Sequence, residues 1–447
     1  MKMNYNCIVM GAAGRDFHIF LTFLRGNPHF HVQAFTATQI PFIEERIFPA
    51  SLAGPEYPDG IPIHDESELP ELIARLDIDF VIFAYSDIAH AELMHKASLV
   101  QAAGASFVML GTDHTQVEAS VPVVSITATR TGAGKSPLTQ WIARSLTDEG
   151  KRVAVIRHPM PYGNLDVQRV QCFVKPEDLD QQNCTIEERE EYEPYVDMGI
   201  PIYAGVDYQA ILEQAQQDVD MVLWDGGNND FSFIRPDLDI VVVDALRAGH
   251  EIEYFPGEVN FRRADVLVIS KSETALPGDV RAIRERAEAI NPTAVCCTAD
   301  LEVSVDKPDL MRGQRVLVIE DGPTVTHGGM SFGAGIVAAE YYGARPVNPR
   351  AYAKGTIRDT FESYPHLERV LPAMGYSEEQ RQSLRATVLA CYRQEKAACI
   401  VDASPARFDW ELDAEIPIVR VSYRFIQLDG PPLLEMVFEL LNGQQEV

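Results

Sequence analysis

Apolar runs of four or five residues recur along the chain, each followed by a polar or glycine turn and then by apolar residues at helical spacing. Near the start, residues 7–10, 32–35, 80–84 and 106–110 read as buried strands, and residues 17–24 and 88–103 as helices. Unbroken apolar runs suit strands covered on both faces, and their alternation with helices predicts a parallel sheet. A polar stretch at 111–121 interrupts the pattern, which then restarts. Residues 123–127, 153–156, 221–224, 240–243, 266–269, 294–297 and 316–319 are strand candidates, with a helix at 136–146. Residues 170–197 are polar and read as an irregular insertion. Past residue 348, helices at 378–390 and 432–441 accompany strands at 399–401 and 418–421. The pattern predicts an α/β protein in three parts: a Rossmann-like domain over 1–120, a second α/β domain over 121–345, and an α/β extension over 346–447 packed on the second.

Composition narrows the partners. The 447 residues carry 38 basic and 66 acidic side chains, a formal charge of -28. General nucleic-acid binding leans on basic surface, so no nucleic acid is expected. No apolar run approaches the roughly 20 residues of a membrane span, and the N-terminus lacks a signal pattern. The expected location is the cytoplasm, away from membranes. Seven cysteines without a C-x-x-C pair suit reduced thiols.

The strongest chemical signal is Thr129-Arg130-Thr131-Gly132-Ala133-Gly134-Lys135-Ser136. It lies between a predicted strand and a predicted helix and follows the P-loop pattern, with Thr129 in place of the first glycine. Such a loop turns backbone N–H groups toward phosphate at a helix N-terminus. Residues 131–136 (Thr131, Gly132, Ala133, Gly134, Lys135, Ser136) and Pro137 in the first helical turn are the expected nucleotide contacts. Lys135 is expected to neutralise phosphate, and the Ser136 hydroxyl to ligate Mg²⁺. Arg130 stands where one subclass of P-loop proteins has a second, signature lysine, so a catalytic charge is expected there and the domain is placed in a signature-lysine-like subclass. The run Met221-Val222-Leu223-Trp224-Asp225 has the form of a Walker B strand, which makes Asp225 the catalytic metal carboxylate. After the strand at 266–269, Ser270-Lys271-Ser272-Glu273 stands where GTPases carry Asn-Lys-x-Asp. Lys271 can still cover a base, but the guanine-reading acid is replaced. The expected cofactors are therefore ATP, with GTP as the alternative, and Mg²⁺.

Basic residues gather after predicted strands: Arg15 and His18, Arg157 and His158, Arg247 and His250, and His327 in a glycine-rich loop. Strand ends form the ligand crevice of a parallel sheet. The first six are expected to converge on the P-loop and to hold a small, heavily phosphorylated acid. The turn Gly11-Ala12-Ala13-Gly14 is no dinucleotide site, because Phe17 stands where the third glycine belongs.

Segments 10–18, 34–41, 83–87, 130–136, 223–230, 244–247, 320–329, 364–366 and 402–405 together resemble the cyclic 2,3-diphosphoglycerate synthetase family and its predicted-GTPase-like relatives. The resemblance implies an ATP-dependent synthetase that closes 2,3-diphosphoglycerate into its cyclic anhydride with release of ADP and phosphate. The expected partners are that phosphorylated acid and a second copy of the chain in a homodimer. The residues alone leave a second reading open, a nucleotide-switched GTPase or ATPase or a metal chaperone. The missing C-x-x-C pair counts against a chaperone.

Overall fold

The computed structural model describes residues 4–12, 14–38, 46–158, 163–227, 229–326, 328–374, 377–404 and 416–443. His327, named above as a basic candidate, lies outside them, as do Ala13, Asn228 and the end of the 402–405 segment.

The first unit is a six-stranded sheet in the order Ile47–Phe48, Ile61–Asp65, Phe30–Ala37, Tyr5–Met10, Phe80–Phe83, Ser106–Val108. All pairings are parallel except that of the first two strands, which gives a Rossmann-like arrangement. Helix His90–Ala102 lies where expected. The strand Ile61–Asp65 has no counterpart in the sequence reading, because proline and histidine break its apolar run.

The second sheet has thirteen strands. Its first half runs Val170–Phe173, Ile202–Gly205, Val153–Arg157, Met221–Asp225, Val123–Ala128, Leu238–Asp244, Val266–Ser270, Val295–Val305. The P-loop strand Val123–Ala128 and the strand ending in Asp225 are thus neighbours, paired in parallel with Asp225 opposite Ile126. Every residue of both strands is buried, the polar Ser125, Thr127 and Asp225 included.

Residues 170–197 are not an irregular insertion. They form the edge strand Val170–Phe173 and two helices, Pro176–Gln181 and Ile186–Asp197. The second helix starts at a capping box: the Glu188 N–H donates to Thr185 Oγ1 (3.2 Å), and the Thr185 N–H donates to Glu188 Oε2 (2.7 Å). It buries acids as well as tyrosines, so no apolar stripe marks it in the sequence.

Strand Val295–Val305 outruns the expected 294–297 because it pairs, antiparallel, with the long strand Ile418–Asp429. That pairing joins the C-terminal strands Cys399–Ala403 and Arg315–Glu320 to the same sheet. The expected boundary at 345/346 falls inside this last unit. Its hydrophobic core draws on Met311, Val316 and Ile336 together with Leu384, Ile400 and Val419.

The first unit docks on the second through a short antiparallel pair, Ile88–Ala89 with Tyr254–Phe255, and through Phe231 and Phe255, which share its core. Among the described residues, no helix is long and apolar enough to cross a membrane.

Candidate active site

The loop after strand Val123–Ala128 enters helix Lys135–Asp148 through Gly134, whose φ of +107° caps the helix in a left-handed conformation. Gly132 has φ +75°, and a β-carbon there would sit 3.3 Å from the Thr324 side chain. Both positions need glycine. Strand, glycine turn and helix thus adopt a P-loop arrangement despite Thr129, whose carbonyl accepts from Asn229 Nδ2 at 2.8 Å.

A cavity of about 240 Å³ opens over this loop. Its lining includes Thr131, Gly132, Gly134, Lys135, Ser136 and Pro137 of the loop, with Arg157, His158 and Lys271. The same cavity is lined by Glu190 and Glu191 from helix Ile186–Asp197, Glu191 pairing with Arg157 Nη2 at 2.6 Å, and by Glu320, Asp321 and Tyr423 from the C-terminal unit. Burial pulls the Lys135 ammonium down to about 8, and neighbouring Arg157 adds to the effect.

Glu320 is the last residue of its strand and is 1% exposed. Its carboxylate accepts from the N–H groups of Gly333 (3.0 Å), Gly335 (3.1 Å) and Ile336 (2.9 Å) at the start of helix Ala334–Tyr341. A β-carbon at 333 would lie 2.5 Å from Glu320 Oε2, so the glycine there makes room for the acid. Burial still pushes the Glu320 carboxyl up to about 7, against those three donors. Asp321 and Glu191 are also raised, burial first. Burial also raises the Tyr423 hydroxyl, and Asp321, Glu191, Glu190 and Glu320 add to the rise.

Asp225 stands at the tip of its strand, fully buried. Its Oδ1 meets Arg157 Nη1 at 3.0 Å and accepts from Thr139 Oγ1 at 3.3 Å, and its Oδ2 accepts from the Tyr195 hydroxyl at 2.9 Å. Ser136 lines the cavity, whereas Asp225 does not, its oxygens being met by Arg157, Thr139 and Tyr195.

The other basic residues do not form the expected anion site. Arg130 turns from the cavity toward the first unit. Its Nε donates to Asp87 at 2.7 Å, its Nη1 lies 2.5 Å from His250 Nδ1, and its guanidinium stacks on Tyr254 at 3.7 Å. Arg15 Nη1 pairs with Asp230 at 2.9 Å. The His18 ring stacks on Phe233, and burial drives it down to about 4, so it is neutral near pH 7. Arg247 reaches the P-loop as a brace: Nη2 donates to the Thr131 carbonyl (2.6 Å) and Nε to Asp244 (2.9 Å). Lys271 does the same, donating to the Gly132 carbonyl and Asp244, each at 2.8 Å. Of the six residues expected to hold substrate phosphate, only Arg157 and His158 line the cavity; Arg15, His18, Arg247 and His250 do not. His158 Nε2 lies 3.2 Å from Asp230, and burial lowers the ring. The cations are consumed by internal carboxylates, because a buried charge must be paired.

Sequence reasoning missed the acidic wall. The capping box Thr185-Ile186-Glu187-Glu188 signals the helix that carries Glu190 and Glu191. No local pattern brings Glu320 and Asp321 to the P-loop.

No family model matches the chain. The chain is 50% identical over 439 residues to arginine synthetase ArcE of Thermococcus kodakarensis, covering 98% of this chain and 97% of the relative. It is 30% identical over 123 residues to tetraacyldisaccharide 4'-kinase of Dechloromonas aromatica, 27% of this chain and 34% of that one. Among solved structures, LpxK from Aquifex aeolicus with ATP aligns at 12% identity and a TM-score of 0.40, over 73% of this chain and 90% of that one. The end-to-end identity with the arginine synthetase corrects the resemblance to the cyclic 2,3-diphosphoglycerate synthetase family. The closure of 2,3-diphosphoglycerate that it implied falls with it.

Proposed function

The chain belongs to the arginine synthetase ArcE family, and on that premise we propose that it is an ATP-dependent synthetase that forms arginine. The observation that supports this reading is the mixed lining of the cavity. The loop residues around Lys135 and the acids Glu190, Glu191, Glu320 and Asp321 line one space of small-molecule size. A phosphate donor fits the former, and a nitrogen-rich side chain that ends as a guanidinium fits the latter.

Arginine differs from its ureido counterpart, citrulline, by nitrogen in place of the ureido oxygen. That oxygen is a poor leaving group until it is phosphorylated. In the proposed sequence the γ-phosphoryl group leaves ADP and bonds to the ureido oxygen. Ammonia then attacks the carbon, phosphate departs, and the surplus proton passes to solvent. Lys135 and the P-loop N–H groups hold the triphosphate, and the acidic wall orients the ureido nitrogens and favours the positive charge that grows on them. Ser136 and Asp225 would hold Mg²⁺, which supplies charge neutralisation on the phosphates. ATP is preferred to GTP on this reading, because Glu273 replaces the guanine-reading aspartate and Lys271 is bound to the P-loop.

The test is to incubate the protein with ATP, Mg²⁺, citrulline and ammonium. Arginine, ADP and phosphate should appear in equal amounts. ATP turnover that needs some other acceptor and yields no arginine would overturn the reading.

A further inference from the structure

We propose that His158 is a catalytic residue that receives the nitrogen nucleophile: its Nδ1 accepts an N–H of ammonia and so presents the ammonia lone pair to the activated carbon. The inference rests on the arginine-forming reading above and assigns a residue to its second half.

The ring is fixed from behind. Nε2 lies 3.2 Å from Asp230 Oδ2, while Asp230 Oδ1 pairs with Arg15 Nη1 and accepts the Phe231 N–H, each at 2.9 Å. An ionised carboxylate accepts and cannot donate, so in the neutral ring Nε2 carries the hydrogen and Nδ1 the lone pair. Phe233 packs on the imidazole with ring centroids 5.4 Å apart. Arg15 and Asp230 do not line the cavity, and they act on it through His158, which does.

The other ring nitrogen is open. Gly227 lines the cavity beside His158, and a β-carbon there would stand 3.0 Å from Nδ1. The glycine therefore leaves that nitrogen uncovered. Nδ1 has no hydrogen-bond partner among the described residues, and unlike the orphaned Nδ1 of His18 it is not sealed in the interior.

Charge selects the form of the nucleophile. A carboxylate would hold ammonium, which has no lone pair with which to attack. Nδ1 is a neutral acceptor: burial lowers the ring, Asp230 opposes, and the nearby Arg157 and Lys135 charges lower it further. Those two cations also disfavour ammonium beside Nδ1, so this position takes ammonia. Ammonium leaves one proton in solvent and enters as ammonia. The ammonia lone pair forms the C–N bond, the C–O electron pair departs with phosphate, and one proton of the attacking nitrogen goes with it. His158 stays neutral throughout and forms no covalent bond; it fixes the direction of attack.

The test uses two amides that each copy one ring nitrogen. Asparagine places Oδ1 where Nδ1 stands and loses the Asp230 contact, whereas glutamine reaches Asp230 with its amide and loses the acceptor at Nδ1. The readouts are kcat/KM for ammonium, the KM for citrulline, the Kd for ATP and the unfolding midpoint. His158→Gln should lower kcat/KM for ammonium at least about tenfold, the loss of one hydrogen bond to the nucleophile, with the other two constants within about threefold. His158→Asn should stay within about threefold of the wild type in all three. If His158 serves only to hold Asp230, the order of the two variants reverses. That reversed order, equal losses in both variants, or a fall that follows the unfolding midpoint overturns the proposal. Should His158→Asn fail to fold, His158→Gln decides, and a wild-type kcat/KM for ammonium in it overturns the proposal. A wild type that makes no arginine from citrulline and ammonium ends the arginine reading, and this assignment with it; a wild type that makes arginine while the variants fall in the wrong order ends the assignment alone.

Discussion

Replacing Glu320 with glutamine tests whether the acidic wall carries the charge that the structure assigns to it. The carboxyl is pushed from its ordinary 4.5 to about 7 by burial. A carboxyl raised on folding binds its proton more tightly in the native state. Its contribution to stability is therefore complete below pH 4.5 and is lost as pH rises through about 7. At 1.36 kcal/mol per pH unit, that interval corresponds to about 3 kcal/mol. Glutamine cannot ionise, so the variant has no such decline. It pays a different cost, nearly constant with pH: its amide points N–H groups at the backbone donors of Gly333, Gly335 and Ile336, leaving at least one unmet at about 1–3 kcal/mol. The wild type should accordingly be the more stable protein near pH 5 and lose about 2–3 kcal/mol of that advantage by pH 8. Hydrogen exchange of the amides in strand Arg315–Glu320, corrected for intrinsic rate, reports opening of this unit and measures the difference. A difference between wild type and variant that stays flat, within about 0.5 kcal/mol, from pH 5 to pH 8 would refute the reasoning.

Three further outcomes are expected. Lys135→Ala should abolish nucleotide turnover while circular dichroism stays native, because the lysine is buried at a cost and serves phosphate instead of packing; a folded variant with wild-type turnover would end the P-loop assignment. Asp225→Asn should impair Mg²⁺-dependent turnover far more than ATP binding, since the amide keeps the shape and loses the charge, and Mg²⁺ titrations of rate and of affinity separate the two. Thr185→Ala removes the cap of the helix that carries Glu190 and Glu191; denaturation should show a loss of about 1 kcal/mol, and the KM for the acceptor should rise more than that for ATP, whereas equal changes in both would detach this helix from acceptor binding.

Much of the fold is legible from local pattern. The strands at 123–128, 221–225 and 266–270 are short, mostly apolar and fully buried, and burial on both faces is what makes such a run readable. The P-loop is legible because its glycines meet a local backbone demand: Gly134 must take positive φ to start the helix. Asp225 is legible for the same reason, as an acid at the end of an apolar strand. Helix Ile186–Asp197 is not, because it turns Glu188 and Glu190 inward with Tyr192 and Tyr195 and so inverts the periodicity by which a helix is recognised.

The sequence by itself determined the alternation of strands and helices, the glycine turn between strand Val123–Ala128 and its helix, and the acid at the end of the neighbouring strand, all set by neighbours within a few residues. Which charges reach the cavity was decided only by the tertiary structure. Arg15, Arg130, Arg247 and Arg157 look alike in sequence, and the fold hands each a carboxylate, but of the four it is Arg157, paired with Asp225 and Glu191, that lines the cavity. The same folding joins strand Ile418–Asp429 to strand Val295–Val305 and thereby carries Glu320 and Asp321, some 185 residues beyond Lys135, to the cavity that Lys135 lines. The physical reason is that a buried ion pair depends on distance in space, and distance along the chain does not encode it. Which acids meet the loop in one cavity therefore belongs to the tertiary structure.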